Sequence, residues 1–247
     1  MKKKSFIKII VENIKTLLGA LFIAILIRSL IVQPFYIPSS SMEPTLLVGD
    51  RIFVIKYVYG YSKHSFPFSP NFSNKRFMSN KPKQGDLVVF KTPADNRTDY
   101  IKRLIGLPGD EIQFNNGNLF INNKLVEREK IDIKEPIRCG NFTLKTNTYI
   151  ETLPNGIKHL ATYNSEGTLK NTKKYVVPDN HFFLMGDNRD CSKDSRFLSE
   201  VGYVKELNLV GNAKIIFFSN DTKNGSLLKF WNLKNSFRLE RTFQKLQ

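Results

Sequence analysis

The sequence predicts a mainly β fold behind a single N-terminal membrane-spanning helix. Three observations lead there. A basic N-terminus runs straight into an apolar stretch. From Pro34 onward, short runs rich in Val, Ile, Phe and Tyr are punctuated by Pro, Gly and Asn turn signals. The chain of 247 residues, 41% hydrophobic and 24% charged, has the material for a compact core. That length suits one large domain or two small ones and argues against a long repeat array.

The first element is the anchor. Lys2, Lys3, Lys4, Lys8 and Lys15 precede the apolar run Leu17 to Ile27, which is followed by Arg28 and then Leu30, Ile31 and Val32. Read as one helix from Phe6 to Val32, the segment reaches the ~20 residues that span ~30 Å of hydrocarbon, with Lys8, Lys15 and Arg28 reaching toward the two interfaces. Glu12 is then within helical reach of Lys8 or Lys15. A cleaved secretory signal peptide is the competing reading. The sequence RSLIVQPFYIPSSSM after Ile27 has bulky residues where a small-x-small cleavage site is needed, so an uncleaved anchor is favoured. The positive-inside bias puts the N-terminus in the cytoplasm and everything after Pro34 outside. Residues 1–33 thus form the cytoplasmic tail and anchor, and 34–247 the ectodomain.

Strands are expected at Arg51 to Tyr59, Asp86 to Lys91, Tyr100 to Ile105, Glu111 to Phe114, Leu119 to Asn122, Tyr149 to Leu153, Ile157 to Tyr163, His181 to Met185 and Ala213 to Ser219. Asn116-Gly117 and Pro154-Asn155-Gly156 are hairpin signals. Phe66 to Lys83 lacks periodicity and reads as a loop. The C-terminal stretch from Ser226 mixes Leu227, Leu228, Phe230, Trp231, Leu233, Phe237, Leu239 and Phe243 with Lys and Arg. That suits either an amphipathic segment lying on anionic lipid or a last strand and helix packed on the domain, and both stay open.

Lys and Arg exceed Asp and Glu by 38 to 22, a formal charge of +16. An anionic membrane face or a nucleic acid would suit it; a bias toward Lys, Asn and Ile codons would produce it with no partner at all. Two cysteines, Cys139 and Cys191, exclude a disulfide-dense scaffold and a four-cysteine zinc site and leave a single disulfide open. No nucleophile elbow, HExxH, Walker loop or dinucleotide fingerprint is present. None of His64, His159 and His181 stands in a context that suggests a catalytic base, which argues against a Ser-His-Asp hydrolase.

Three polar segments beside apolar strands stand out instead: IPSSSMEPT from Ile37, DYIKRLIGLPGD from Asp99, and GDNRDCSKDSR from Gly186. Each alone has a bland reading, as a Ser-rich turn, an alternating strand and a loop tied by Asp-Arg pairs. In their order and spacing they resemble bacterial type I signal peptidase, the membrane-bound Ser-Lys protease family that cleaves signal peptides from exported proteins. The resemblance covers about residues 34–57, 84–121 and 175–218. The stretch 124–174 matches only in length and β character and reads as a less family-like β insertion.

The resemblance implies a β-rich catalytic ectodomain of signal-peptidase type, with no metal and no other cofactor. Carried over by position, Ser41 is the nucleophile and Lys102 the general base. Ser39 joins the Ser41 N–H in the oxyanion hole, and Ser192 orients the Lys102 amine. Asp194 and Arg196 pair behind Ser192, while Asp187 and Asp190 are candidate partners for Arg103. Phe35, Ile37, Pro38, Met42, Val89, Tyr100 and Ile101 line pockets for an Ala-x-Ala site, with the peptide bound as an added strand. A Lys serves as base only when neutral, so its pKa must fall by about two units from ~10.4. Burial beside Ile101, Leu104 and Ile105 would lower it, and Arg103 or Lys193 nearby would push the same way.

Two departures from the family pattern are Cys191, where Asn is common, and Lys205, where Pro is usual. Cys191 is expected to make the site sensitive to oxidation or thiol reagents. The implied partners are signal-peptide-bearing preproteins and anionic membrane lipid, with no nucleic acid. The implied place is the bacterial cytoplasmic membrane, single-pass, with the catalytic domain on its outer face. Rival readings are a pilin-processing peptidase, a self-cleaving repressor without its DNA-binding module, and a catalytically dead, lipid-binding β-scaffold.

Overall fold

The structure, a computed structural model, describes residues 6–71, 73–133, 136–140, 142–164, 170–221 and 237–246. The one α-helix among these residues, α1 (Phe6–Leu30), is 25 residues long, about 37 Å at 1.5 Å per residue. Residues Lys8–Leu30 are long and apolar enough to cross a membrane, and the most apolar stretch of the helix is not buried by the rest of the described chain. The helix stops two residues before the predicted Val32. Lys56 N–H donates to Ile31 C=O (3.0 Å) and the Tyr61 hydroxyl to Leu30 C=O (2.9 Å), so the end of the helix is tied to the body.

Seventeen strands follow among the described residues. They are β1 (Val32–Tyr36), β2 (Asp50–Ile55), β3 (Leu87–Lys91), β4 (Asp99–Gly106), β5 (Glu111–Asn115), β6 (Asn118–Ile121), β7 (Lys124–Leu125), β8 (Glu127–Ile131) and β9 (Ile137–Cys139). Then come β10 (Phe142–Leu144), β11 (Thr146–Thr152), β12 (Lys158–Asn164), β13 (Tyr175–Val176), β14 (His181–Met185), β15 (Val204–Lys205), β16 (Leu209–Ser219) and β17 (Gln244–Lys245).

The main sheet runs β1-β2-β16-β3-β4-β14-β15, with β17 added to β16. Its pairings are antiparallel, so sequence-distant segments meet side by side. Val88 faces Lys102 and Val89 faces Ile101 across β3 and β4. One apolar cluster, including Ile37, Met42, Ile52, Val54, Val89 and Ile216, fills one side of this sheet; another, including Tyr59, Val88, Phe90, Leu104 and Leu184, fills the other. Both faces of β4 are therefore covered from Lys102 onward. That stretch is continuously buried rather than alternating.

The predicted strands all form, with boundaries shifted by a few residues. At Asn116-Gly117 both residues have φ near +50° to +75° and close the β5–β6 hairpin. Pro154-Asn155-Gly156 joins β11 to β12. Two departures have physical causes. The run predicted to continue to Tyr59 ends at Ile55, where the chain turns through a short 3-10 helix, Tyr57–Tyr59. β1, which the strand pattern did not mark, contains Pro34 and is tolerated because it is the edge of the sheet.

The stretch predicted as an insertion contributes to a second layer: its β8, β11 and β12 form one sheet, its β9 and β10 a hairpin, and its β7 joins β13, β5 and β6 from outside the stretch in a four-stranded sheet. At the C-terminus, Leu227, Leu228, Phe230, Trp231 and Leu233 lie outside the described residues. The described tail is packed: Leu246 joins the core and Arg241 pairs with Asp50 at 2.7 Å. Leu239 and Phe243 stay exposed.

Candidate active site

Ser41 follows β1, Lys102 lies within β4, and Ser192 lies in the loop after β14. The sheet brings the three segments together. Met42 is buried among Ile37, Leu46 and Val89, and Leu46 N–H donates to Met42 C=O (2.9 Å), which fixes the turn carrying Ser41. Asn188 N–H donates to Ser41 C=O (3.1 Å), docking the Gly186 loop onto the same turn. Gly186 allows the approach: a Cβ there would lie 2.5 Å from Ser41 C=O and 2.3 Å from Ser192 Oγ.

Lys102 Nζ lies 2.5 Å from Ser41 Oγ, and Ser39 Oγ lies 3.4 Å from the same atom. Lys102 is buried, and burial lowers its pKa to about 8; Asp194 and Asp187 hold it up in part, and Arg196 pushes it further down. The cation acting on the amine is thus Arg196, in place of the expected Arg103 or Lys193. Arg103 is turned to Asp187, and the exposed Lys193 to Glu200 at 2.8 Å. A neutral amine at this distance is able to take the hydroxyl proton.

Three buried ion pairs frame the pair. Arg103 grips Asp187 with Nε and Nη2, each at 2.8 Å, and Asp187 also accepts from the Thr45 hydroxyl at 2.6 Å. Arg196 grips Asp194 in the same way, both contacts at 2.8 Å, while Asp194 accepts Gly186 N–H at 3.0 Å. Arg189 holds Glu151 at 3.2 and 2.6 Å. Burial raises the pKa of all three carboxylates, but the facing guanidiniums outweigh it and hold them below the usual range, so they stay charged. Asp190, the other predicted partner for Arg103, accepts the Asn164 backbone N–H (2.8 Å) instead, because its loop turns it toward β12.

Ser192 was expected to orient the Lys102 amine. Its hydroxyl is buried close to Gly186, helps hold the Asp194 carboxylate charged, and makes no hydrogen bond to Lys102 among the described residues. Cys191 is not a free thiol; it is disulfide-bonded to Cys139 of β9, which removes the basis for thiol-reagent sensitivity. The disulfide brings the β9–β10 hairpin against the turn that carries Ser41. There Arg138 N–H donates to Glu43 Oε2 (2.8 Å), Gly140 N–H to Ser40 Oγ (3.2 Å), and Asn188 Nδ2 to both Arg138 C=O (2.8 Å) and Ser40 C=O (3.1 Å).

A groove of about 370 Å³ opens over Ser41. All seven residues predicted to contact substrate, Phe35, Ile37, Pro38, Met42, Val89, Tyr100 and Ile101, line it. So do Tyr36, Ile52 and Thr98, which sequence reasoning missed, and Asp99, Cys191 and Lys193, which it set in or beside the site segments without a substrate contact. Tyr36 and Thr98 flank segments already singled out. None of the histidines lines the groove. His159 is buried between Glu151 (3.5 Å) and Asp187 (3.7 Å), and burial holds it down at about 4, neutral near pH 7.

The family described as "Signal peptidase, peptidase S26" matches residues 10–218. Signal peptidase I of Rickettsia typhi (strain ATCC VR-144 / Wilmington) is 40% identical over 243 residues, covering 91% of this chain and 89% of the relative. That of Rickettsia akari (strain Hartford) is 39% identical over 248 residues, covering 91% and 88%. A solved signal peptidase I from Enterococcus faecalis V583 aligns with 54% of this chain and 97% of its own at 26% identity, with a TM-score of 0.33. With the match running from within α1 to the end of β16, the chain belongs to the signal peptidase family, peptidase S26.

Proposed function

We propose that this chain is a membrane-anchored serine endopeptidase that removes N-terminal signal peptides from exported preproteins after an Ala-x-Ala-like site. Ser41 is the nucleophile and the neutral Lys102 amine the general base. The observation that carries this reading is the buried Lys102 Nζ, 2.5 Å from Ser41 Oγ and with its pKa lowered to about 8 by burial. Roughly a tenth of the molecules then hold the amine neutral at pH 7.

The preprotein binds as an added strand along the groove between the end of β1 and the start of β4. Ile37, Met42, Val89 and Ile101 leave shallow apolar room for small side chains. Lys102 takes the Ser41 proton as Oγ attacks the scissile carbonyl. The charge on the tetrahedral oxygen is met by the Ser41 N–H and the Ser39 hydroxyl. Lys102 returns the proton to the departing amine, and water, activated by the same amine, hydrolyses the ester. Ser192 packs beside the dyad and orients Lys102 once substrate closes the site.

The basic residues before α1 support a cytoplasmic N-terminus, with the groove on the outer face of the bacterial cytoplasmic membrane. Incubating the purified chain with a preprotein bearing an Ala-x-Ala site, then sequencing the new N-terminus, tests the reading. Wild type is expected to cut after the second Ala, and Ser41→Ala to leave the preprotein intact. A new N-terminus elsewhere, or cleavage undiminished in Ser41→Ala, counts against it.

A further inference from the structure

A second pocket, of about 440 Å³, sits at the foot of α1. Arg28, Lys56, His64, Lys91 and Arg97 line it, with Asp99 as its one carboxylate. Lys91 and Asp99 pair with each other at 2.9 Å, so the remaining charge is positive.

Lys56 is the unusual member. It is 2% exposed, yet among the described residues no carboxylate pairs with it, and the one hydrogen bond of its Nζ runs to Ser65 C=O at 2.5 Å. Burial, then the like charges of Arg28 and Lys91, outweigh the help from Asp99 and lower its pKa to about 8. An ammonium buried without a counter-ion is a cost that a bound anion would relieve. The second observation is independent. His64 is 4% exposed, its Nδ1 lies 3.0 Å from Ser69 Oγ, and its Nε2 is buried with no partner among the described residues. Burial keeps this ring neutral, with a pKa of about 4, so when Ser69 donates to Nδ1 the free Nε2–H is a donor for an acceptor in the pocket.

The location selects the anion. Arg28 is in the last turn of α1, where a helix of this length emerges into the headgroup layer. Phe68, on the rim of the pocket, is fully exposed beside Pro67 and suits the acyl boundary. We propose that this pocket binds the phosphodiester of an anionic glycerophospholipid from the leaflet that faces the catalytic domain, with Lys56, Arg28 and His64 Nε2 as donors. The site rests on α1 being a membrane span. Through Phe35 and Asp99, which line both pockets, it holds the peptide groove against the membrane surface.

The test uses the full chain in detergent. Native mass spectrometry reads retention of phosphatidylglycerol against phosphatidylcholine in wild type, Arg28→Gln, Lys56→Gln and the distant control Lys124→Gln. Wild type and control are expected to retain phosphatidylglycerol preferentially, and each pocket variant to lose about tenfold in affinity. If Lys56→Gln does not fold, the exposed Arg28→Gln carries the test. Equal retention of the two lipids, or an equal loss in Lys124→Gln, overturns the proposal. So does inorganic phosphate alone, if it raises Tm as far as phosphatidylglycerol does, since the ligand is then a free ion. Preprotein cleavage is scored separately on the same samples: an inactive wild type that retains phosphatidylglycerol counts against the proposed function and leaves the site standing.

Discussion

Lys102, Gly186 and Ser192 show how much the site depends on single groups. Gly186 is required by close approach: an added Cβ would strike Ser41 C=O and Ser192, both backbone-anchored. Gly186→Ala is expected to cost roughly 1–3 kcal/mol by overpacking and to lower kcat/KM more than this loss of stability explains, measured by thermal melts beside peptide cleavage. Ser192 behaves in the opposite sense. Its buried hydroxyl makes no well-formed hydrogen bond among the described residues, yet it lies where it helps hold the Asp194 carboxylate charged, so Ser192→Ala is expected to change stability by less than about 1 kcal/mol. If the hydroxyl orients Lys102 in the substrate complex, kcat falls about tenfold or more in the same variant. A melt that drops while kcat holds would assign Ser192 a structural role only.

At the scale of elements, the β9–β10 hairpin is the part of the site that sequence patterns conceal. Ser41, Lys102 and the Gly186 loop were legible because each sits in a distinctive local string. Among the described residues the hairpin reaches the Ser41 turn through the Cys139–Cys191 bond, backbone contacts from Arg138 and Gly140 and the bridging Asn188 side chain, and a separation of 52 positions announces none of these. β1 was hidden for another reason, a central proline that an edge position tolerates. The N-terminal half of β16 was hidden because it is buried without a break and does not alternate. Opening the disulfide, by a reductant or by Cys139→Ser, is expected to destabilise the fold by about 2–4 kcal/mol and to lower cleavage by loosening the Ser40–Glu43 turn. Alkylation without reductant should change nothing. Calorimetry and cleavage rates with and without reductant check both, and full activity after confirmed reduction would show that the hairpin does not position the nucleophile.

For the whole molecule, the mainly β architecture behind one apolar helix follows from hydrophobic periodicity, while strand order and the second layer come from pairings between distant segments that no local pattern encodes. α1 contributes no residue to the groove, yet its foot is tied to the body through Leu30 and Ile31. Its expected contribution is proximity. Deleting residues 1–30 should leave cleavage of a short soluble peptide close to wild type, while cleavage of a preprotein embedded in vesicles falls about 10²-fold or more. An equal loss on both substrates would mean that α1 holds the catalytic domain together.

The central claim is that a neutral Lys102 removes the Ser41 proton, and the most direct test is kcat/KM against pH for wild type and Lys102→Ala on one peptide substrate. A base with a pKa of about 8 is protonated and inactive below that value, so the wild-type rate should climb with pH through about 8 and then level. Lys102→Ala, verified as folded, should be slower by about 10²–10⁴ and lack that limb. A limb near 8 that persists in Lys102→Ala, or a variant as fast as wild type, would contradict the claim.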